Sequence, residues 1–467
     1  IRGTFGMYPL GKMIPNVSAN EYINKMSQNG VRAFISAYDV RSKFKKSKID
    51  YIKETGFENS IEKAFEIHKQ TSNIDRENLL NNIAYKTKKI DDKDYNVVVI
   101  MVESFGMPIL KYQSEEFDIM GNLKKHFEED ILFTNIISEG DGTIASLEAL
   151  LLNIPYRPNS FAFSQSDYAQ TSFTFTPAFL YNNEGYNTSF IYGGDSTWRD
   201  LGKFVKYQGY QVVEGKQDIF SSIKVTKEES EYFHPWGIYD EYLYDHILNK
   251  LEISNGKEMI LALSTNNHPP YNIPNGYKSK ILSYSEDLKN HITGDFGLAE
   301  QRLKSYGYAL DSVGTFLDKF KQSKFKDNTI VVITADNNTI EGIMKYDDNP
   351  IFTSKNIPIY FYLPKELKDR LEIDTSVAGS QKDIFPTLYN LTLKDTKYLS
   401  IGNNLFDKIN PHFGFNGSMI VNNCNEVRKL NSLKEKSEDE LVNYYKASLA
   451  VTEYLIKRYD NKGNKWK

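Results

Sequence analysis

The sequence predicts an α/β fold in which a mostly parallel central sheet is sandwiched by helices. Three observations predict it. Continuous apolar runs recur along the middle of the chain, and such runs are typical of strands that are buried on both faces. Helical segments such as LDSVGTFLDKF separate these runs, which is the pattern of parallel βαβ units. Several runs end in polar residues, and open α/β sheets bind ligands beyond the carboxyl ends of their strands.

The elements divide the chain into three predicted parts. Residues 1–90 are polar and form an N-terminal helical extension, in which IEKAFEIHKQ is an amphipathic segment. Residues 91–407 form the main domain. Residues 408–467 form a C-terminal segment whose tail, with an apolar stripe that includes Leu441 and Leu449, ends in a helix. The predicted strands of the main domain are NVVVIMV, ILFTNII, SFIYGG, MILALS, TIVVITA and IPIYFYL.

Composition limits the class of protein. Hydrophobic residues at 40% and charged residues at 25% are typical of a folded soluble domain, and a net charge of -4 gives no nucleic-acid signature. A single cysteine, Cys424, excludes an intramolecular disulfide and any multi-cysteine metal site. No apolar run reaches the roughly 18 to 20 residues that span a bilayer. The chain begins at Ile1 without an initiator methionine, so we expect that a targeting or membrane segment precedes it.

Acidic and amide side chains follow two of the apolar runs. Glu103 follows NVVVIMV, and Asp336 and Asn337 follow TIVVITA. Their oxygens could together hold a divalent cation. The structural alternatives are that Glu103 caps the next helix and that Asp336 starts an Asx-turn, because polar residues at strand ends often begin turns.

A hydroxyl residue opens a predicted helix in the segment EGDGTIASLEALLLN. Thr143 follows Gly140, Asp141 and Gly142 and begins a segment whose leucines define a buried face. An N-cap threonine is the structural alternative. A helix N-terminus also presents free N–H groups and a positive dipole, which stabilise an anion beside the hydroxyl. The position therefore suits both a cap and a nucleophile.

One histidine lies in a predicted loop that is rich in asparagine and proline. His268 lies between two asparagines and a Pro-Pro pair, where a histidine is either a surface residue or an acid-base group. The seven histidines show neither HxH nor HExxH spacing. This pattern argues against a zinc site built from clustered histidines.

Taken together, these residues resemble the alkaline phosphatase and sulfatase superfamily, and within it the lipoteichoic-acid-synthase-like phosphoglycerol transferases. The segment RGTFGMYPL, from Arg2 to Leu10, is similar to the one that follows the membrane domain in that family. The later motifs that carry the resemblance are FIYGGDSTWRD, HPWGIYDEYLYD, NNHPPY and GSQKDIFPTLYNL.

The resemblance implies a set of roles. It implies that Thr143 is the nucleophile and that a divalent ion, Mn²⁺ in the family, is held by Glu103, Thr143, Asp336 and Asn337. It also implies head-group contacts from Asp195, Trp198, Arg199 and His268. The implied reaction transfers glycerol phosphate from a phospholipid, phosphatidylglycerol, to a glycan or polymer hydroxyl through a phosphothreonine. The implied location is extracytoplasmic, with membrane anchoring through an upstream segment.

Asn337 departs from the family pattern. Phosphoglycerol transferases of this kind carry Asp-His at the position of Asp336 and Asn337, whereas calcium-binding sulfatases carry Asp-Asn. An amide oxygen in place of an imidazole favours harder ions such as Mg²⁺ or Ca²⁺. Three explanations stay open: a natural preference for a harder ion, an introduced inactivating substitution, or a site that has lost its chemistry.

Other functions of the same superfamily are the alternatives. A formylglycine sulfatase needs Cys or Ser in a C/S-x-P-x-R context, which Cys424 lacks. Phosphoethanolamine transferases share the threonine nucleophile but carry several disulfides, which one cysteine cannot form. A catalytically impaired domain that binds phosphorylated glycans or lipid head groups is the alternative outside enzymes.

Overall fold

The fold is that of a computed structural model, which describes residues 30, 31, 34, 38, 49–338, 343–346, 349–430 and 432–460. The segment from Arg2 to Leu10 that carries part of the family resemblance lies outside these residues. Among the described residues, no helix combines the length and the apolar character needed to cross a membrane.

The described elements are numbered here in chain order. The helices are α1 Tyr51–Glu54, α2 Ile61–Lys69, α3 Leu123–Glu129, α4 Thr143–Leu152, α5 Pro177–Asn183, α6 Leu201–Tyr207, α7 Lys216–Ser222, α8 Asp240–Ile253, α9 Glu286–His291, α10 Phe296–Gln322, α11 Pro350–Thr353, α12 Lys365–Lys368, α13 Ile384–Thr392 and α14 Glu440–Asp460. The strands are β1 Ala84–Lys86, β2 Asn96–Val102, β3 Ile131–Phe133, β4 Tyr186–Tyr192, β5 Val212–Glu214, β6 Phe233–His234, β7 Gly237–Ile238, β8 Lys257–Leu263, β9 Thr329–Ala335, β10 Ile359–Tyr362, β11 Lys397–Leu399, β12 Phe413–Asn416, β13 Met419–Asn422 and β14 Val427–Lys429.

A seven-stranded sheet forms the centre of the molecule, in the order β3-β10-β9-β2-β8-β4-β5. The five strands from β9 to β5 are parallel, and β10 runs antiparallel to both of its neighbours. Six of the seven residues of β2 and of β8, and all seven of β9, are buried. Burial on both faces explains why these strands appear in the sequence as unbroken apolar runs.

The predicted fold class is confirmed. All six apolar runs contribute a strand to the central sheet, and LDSVGTFLDKF lies within α10. The predicted amphipathic segment forms α2, and the C-terminal tail forms α14. The sequence patterns did not predict β5 at the edge of the sheet or the small sheet of β12, β13 and β14. The division at residues 90 and 407 stays a prediction.

The first and last described helices pack together. Helices α1 and α2 both contact α14. On α2, the buried His68 ring lies 5.6 Å from the Tyr444 ring, and its Nδ1 is 2.9 Å from the Ser448 hydroxyl. Burial lowers the pKa of His68 to about 3, so this histidine is a neutral packing residue.

Candidate active site

Three neighbouring parallel strands bring the candidate residues together. Residue Val102 of β2 pairs with Ala335 of β9, and Met101 pairs with Leu263 of β8. The residues that follow these strands therefore leave the sheet side by side at its carboxyl edge. Glu103 follows β2 and Asp336 follows β9.

Thr143 lies between the two carboxylates. Its hydroxyl oxygen is 2.6 Å from Oδ2 of Asp336 and 3.4 Å from Oε2 of Glu103. A hydroxyl has one proton, so Thr143 donates to Asp336 and lies beside Glu103. Asp336 is fully buried and Glu103 is 8% exposed, whereas Thr143 is half-buried.

The structural alternative for Thr143 does not hold. Gly142 is the N-cap of α4, Thr143 is the first helical residue, and no side chain caps this end. Gly140 permits the approach of the loop to the helix, because a Cβ there would lie 2.3 Å from the Cβ of Ala145. The threonine hydroxyl is thus directed to the carboxylates rather than to the helix backbone.

Three serines hold Glu103 and Asp336 in place through their side-chain or backbone groups. Ser104 donates from its N–H to Asp336 at 2.7 Å and from its hydroxyl to Glu103 at 2.9 Å. Ser264, at the end of β8, accepts the N–H of Glu103 at 3.1 Å, and Ser146 donates to the backbone carbonyl of Asp336 at 2.5 Å. Ser104 adopts a left-handed backbone with φ of 58°, which is uncommon outside glycine and asparagine.

The electrostatics of the pair suit a cation. Burial raises the pKa of Glu103 well above its ordinary range, and the charge of Asp336 raises it further. Burial also raises the pKa of Asp336. Within the described part of the chain, neither carboxylate forms an ion pair with a lysine, arginine or histidine. Two buried acids around one hydroxyl make an all-oxygen donor set, which fits a divalent metal ion.

Asn337 is buried next to this set. Its backbone N–H donates to Oδ1 of Asp336 at 2.7 Å, and the residue is 5% exposed. Among the described residues, no hydrogen bond joins its side-chain amide to Glu103, Thr143 or Asp336. Its role as a metal ligand stays a prediction.

His268 lies in the loop after β8 and packs against an aromatic ring. The ring centroids of His268 and Trp236 are 3.8 Å apart, and the indole N–H of Trp236 donates to the carbonyl of Pro269 at 2.5 Å. Burial lowers the pKa of His268. The preceding residue, Asn267, donates from its amide to the carbonyl of Ser104 at 3.2 Å, which ties this loop to the carboxylate pair.

The remaining predicted contacts lie in the loop after β4. Asp195 accepts from the N–H and the hydroxyl of Thr197 at 3.0 and 2.8 Å, and it faces Lys216 at 3.8 Å. Arg199 lies 5.3 Å from the ring of Trp198 and donates to Gln165 at 2.7 Å. These contacts hold the loop itself, and none of them reaches Thr143. The proposed substrate contacts of Asp195, Trp198 and Arg199 stay predictions.

The structure adds a guanidinium that the sequence analysis did not select. Arg302 is 7% exposed on α10, lies 5.4 Å from the ring of Tyr271, and its charge acts on Glu103 and His268. In sequence it is one cation in a long amphipathic helix. Only the packing of α10 against the sheet edge distinguishes it from a surface residue.

A second group of possible metal ligands lies at the end of α3. It consists of His126, Glu129 and Asp130. Lys321 is 3.0 Å from Glu129 and 2.8 Å from Asp130, so a lysine of α10 already neutralises these acids. This group is an ion-pair cluster and is not a candidate metal site.

Comparisons with known proteins show the family and the fold of this chain. The sulfatase family model matches residues 95–393. Phosphoglycerol transferase I of Escherichia coli strain K12 is 25% identical over 283 residues, which cover 57% of this chain and 34% of that protein. The same values hold for phosphoglycerol transferase I of Shigella flexneri. The chain thus spans about a third of the length of these curated relatives.

Solved structures share the fold. A protein of the alkaline phosphatase superfamily from Vibrio parahaemolyticus superposes with a TM-score of 0.63 at 20% identity, over 87% of this chain and 97% of that chain. The lipoteichoic acid synthase LtaP from Listeria monocytogenes superposes with a TM-score of 0.60 at 16% identity, over 85% and 98%. At these identities the similarity shows a common architecture.

Proposed function

This chain belongs to the sulfatase family, and from that premise we propose that it is a metal-dependent phosphoglycerol transferase. It moves glycerol phosphate from a phospholipid head group, phosphatidylglycerol, to a hydroxyl of a glycan or polymer. The observation that carries the proposal is the hydroxyl of the half-buried Thr143, which donates to Asp336 at 2.6 Å at the start of a ten-residue helix. The 25% identity to phosphoglycerol transferase I supports this choice within the family.

Glu103, Thr143 and Asp336 are the residues that would hold a divalent ion, with Asn337 as the fourth donor. A bound ion supplies a lower pKa for the coordinated hydroxyl and neutralises charge on the phosphoryl oxygens. The oxygen donors suit Mg²⁺ and Ca²⁺ as well as the Mn²⁺ that the family resemblance implies.

The chain itself positions the nucleophile. Asp336 accepts a hydrogen bond from the Thr143 hydroxyl and so fixes the direction of the hydroxyl oxygen. The first N–H groups of α4 have no acceptor within the helix, and together with the helix dipole they attract the phosphate oxygens. Arg302 adds a positive charge that acts on Glu103 and His268. These groups favour an anionic phosphodiester next to Thr143.

The reaction has two steps. In the first, Thr143 Oγ1 forms a bond to phosphorus, the bond from phosphorus to the diacylglycerol oxygen breaks, and the threonine proton passes to that oxygen. In the second, an acceptor hydroxyl forms a bond to phosphorus and Thr143 leaves, taking up the acceptor proton. Burial lowers the pKa of His268, which favours its neutral form, and His268 is proposed to hold the departing or entering hydroxyl. Asp195, Trp198 and Arg199 are the further proposed head-group contacts.

We place this activity at the outer face of the cytoplasmic membrane, in a protein anchored by an upstream segment. The proposed donor is a membrane lipid, so the site must reach a head group. This location is also the one implied by the family resemblance of the sequence motifs.

Mass spectrometry of the intact protein tests the proposal. The protein is incubated with phosphatidylglycerol vesicles and with Mn²⁺, Mg²⁺ or Ca²⁺ in turn, and we expect a glycerol phosphate adduct with at least one ion. The adduct should be absent from Thr143→Ala, since that variant lacks the attacking oxygen. Vesicle binding without an adduct under all three ions would instead support a non-catalytic head-group binder.

A further inference from the structure

A groove of about 810 Å³ lies on the flank of the molecule, between the loop that precedes α5 and helices α5 and α6. This volume falls within the roughly 300 to 1,000 Å³ of typical ligand sites. The residues that line it and that carry the argument are Ser164, Gln170, Asp200, Lys206, Tyr207 and Gln211. None of them belongs to the carboxylate site.

The groove begins next to the loop that follows β4. Asp200, which lines the groove, directly follows Arg199, and the Arg199 guanidinium donates to Gln165, the neighbour of Ser164, at 2.7 Å. The N–H of Gly202 donates to the carbonyl of Ser196 at 2.7 Å, which ties the start of α6 to the same loop. The groove therefore continues from the proposed head-group contacts along α6 and away from the carboxyl edge of the sheet.

The lining combines ring surface with amide and hydroxyl groups. Tyr207 is 40% exposed and presents an open ring, and the amide of Gln170 offers both donors and an acceptor. The amide of Gln211 offers donors, because its Oε1 already accepts the N–H of Thr188 at 3.2 Å. Ser164 is 3% exposed, and its hydroxyl has no hydrogen-bond partner among the described residues. A buried polar atom of this kind calls for a ligand or water that can pair with it. An apolar ligand would leave these groups unpaired.

The charge of the groove is positive. Asp200 faces Lys203 at 3.8 Å, whereas Lys206 forms no ion pair within the described part of the chain. A ligand with many hydroxyls and an apolar ring face can stack on the tyrosine ring and form hydrogen bonds with the amides. A phosphate on that ligand can form an ion pair with Lys206. Saccharide chains that carry phosphate esters have all three features.

We propose that this groove binds the saccharide chain of the acceptor and that Lys206 recognises a phosphate group on it. The inference rests on the proposed function in one respect, because it identifies the glycan acceptor of that reaction. The ring of Tyr207 stacks on a sugar face, and the amides of Gln170 and Gln211 pair with sugar hydroxyls. The chain then runs past Asp200 toward the loop of Trp198 and Arg199.

Direct binding tests the groove without any need for activity. The full chain and its variants are applied to an array of oligosaccharides with and without phosphate esters. We expect binding to the phosphorylated saccharides, roughly 10-fold weaker in Tyr207→Ala because the stacking surface is lost. Lys206→Ala should lose the preference for phosphorylated over neutral chains. Val212→Ala, which removes a side chain of similar 38% exposure outside the groove lining, should bind as the unmodified protein does.

Donor cleavage separates this inference from the proposed function. Diacylglycerol release from phosphatidylglycerol without an acceptor should be the same in Tyr207→Ala and the unmodified protein. Absence of saccharide binding, or equal binding by Tyr207→Ala and Val212→Ala, would overturn the acceptor groove even if diacylglycerol release persists. Absence of diacylglycerol release together with Tyr207-dependent saccharide binding would overturn the transferase and leave the groove in place.

Discussion

Two pairs of buried carboxylates can be compared within the described residues, and the chain supplies a cation to one of them. Glu139 and Asp383 lie beside Lys382, whose Nζ donates to Asp383 at 2.7 Å and to the Ser380 hydroxyl at 3.1 Å. Ser380 donates in turn to Glu139 at 2.5 Å. Among the described residues, Glu103 and Asp336 have no such ion pair. A pair of acids with its own lysine stabilises the fold, whereas a pair without one leaves a place for an external cation.

The largest expected effect is a loss of glycerol phosphate transfer when the Glu103 and Asp336 pair is changed. Asp336→Asn weakens the donor set and the acceptor of the Thr143 proton, so we expect glycerol phosphate transfer to fall by roughly 10³-fold or more. The urea midpoint of the metal-free protein should not decrease, because one buried charge is removed. Asp383→Asn is the matched control and should lower that midpoint. Similar losses of stability in Asp336→Asn and Asp383→Asn would contradict the difference proposed between the two carboxylate pairs.

The second effect concerns stability. Lys382→Met leaves Glu139 and Asp383 without their cation, and we expect the free energy of unfolding to fall by about 3–5 kcal/mol. Urea unfolding measures it. Lys324→Met is the control, because Lys324 pairs with Glu252 at the surface and such pairs contribute about 0–1 kcal/mol. A loss of the same small size in Lys382→Met would show that this cluster does not depend on its lysine.

The third effect tests whether Asn337 is a metal ligand together with Glu103 and Asp336. If the Asn337 side chain faces the bound ion, Asn337→His should raise the affinity for Mn²⁺ roughly 10-fold, since imidazole suits this ion better than an amide oxygen does. Calorimetric titration of the metal-free protein measures it. The affinity for Mg²⁺ is the internal control and should not rise. Unchanged Mn²⁺ affinity would remove Asn337 from the ligand set.

The last effect comes from another buried acid, Glu148, which the fold keeps protonated. Burial raises the pKa of Glu148 on α4 to about 8, from an ordinary value of 4.5. A raised pKa means that its contribution to stability is full below pH 4.5 and is lost as the pH rises through 8. The unfolding temperature of the unmodified protein should therefore fall relative to that of Glu148→Gln between pH 4.5 and 8. If the unfolding temperatures of the unmodified protein and Glu148→Gln changed in parallel with pH, this prediction would be contradicted. The control is Glu128→Gln, on the exposed surface of α3, whose unfolding temperature should change in parallel with that of the unmodified protein.

The sequence was sufficient to predict the sheet and the proximity of Glu103 and Asp336, because both follow from local patterns. The strands β2, β8 and β9 are buried along nearly their whole length, and this produces apolar runs that need no knowledge of the fold. Parallel strands end at the same edge, so Glu103 and Asp336 could be placed together from their positions alone. The edge strand β5 was missed because it has three residues and is exposed or half-buried.

The supporting residues depend on tertiary contacts, which leave no local signal. Ser104 and Asn267 are small polar residues after strands, and their left-handed backbones, with φ of 58° and 64°, are visible only in the structure. Arg302 resembles an ordinary helical surface residue in sequence. The groove beside α6 joins a loop to two helices from a range of about fifty residues, so no single segment predicts it.

The packing of α2 against α14 has a consequence for biosynthesis. His68 and Ser448 are in contact although 380 positions separate them in the chain. Contacts of such long range form slowly, because closure of the intervening loop precedes any gain from the contact. During translation the amino-terminal helices therefore emerge long before their partner does. Until α14 has also left the ribosome, α1 and α2 lack the native contacts that they make with it in the folded protein.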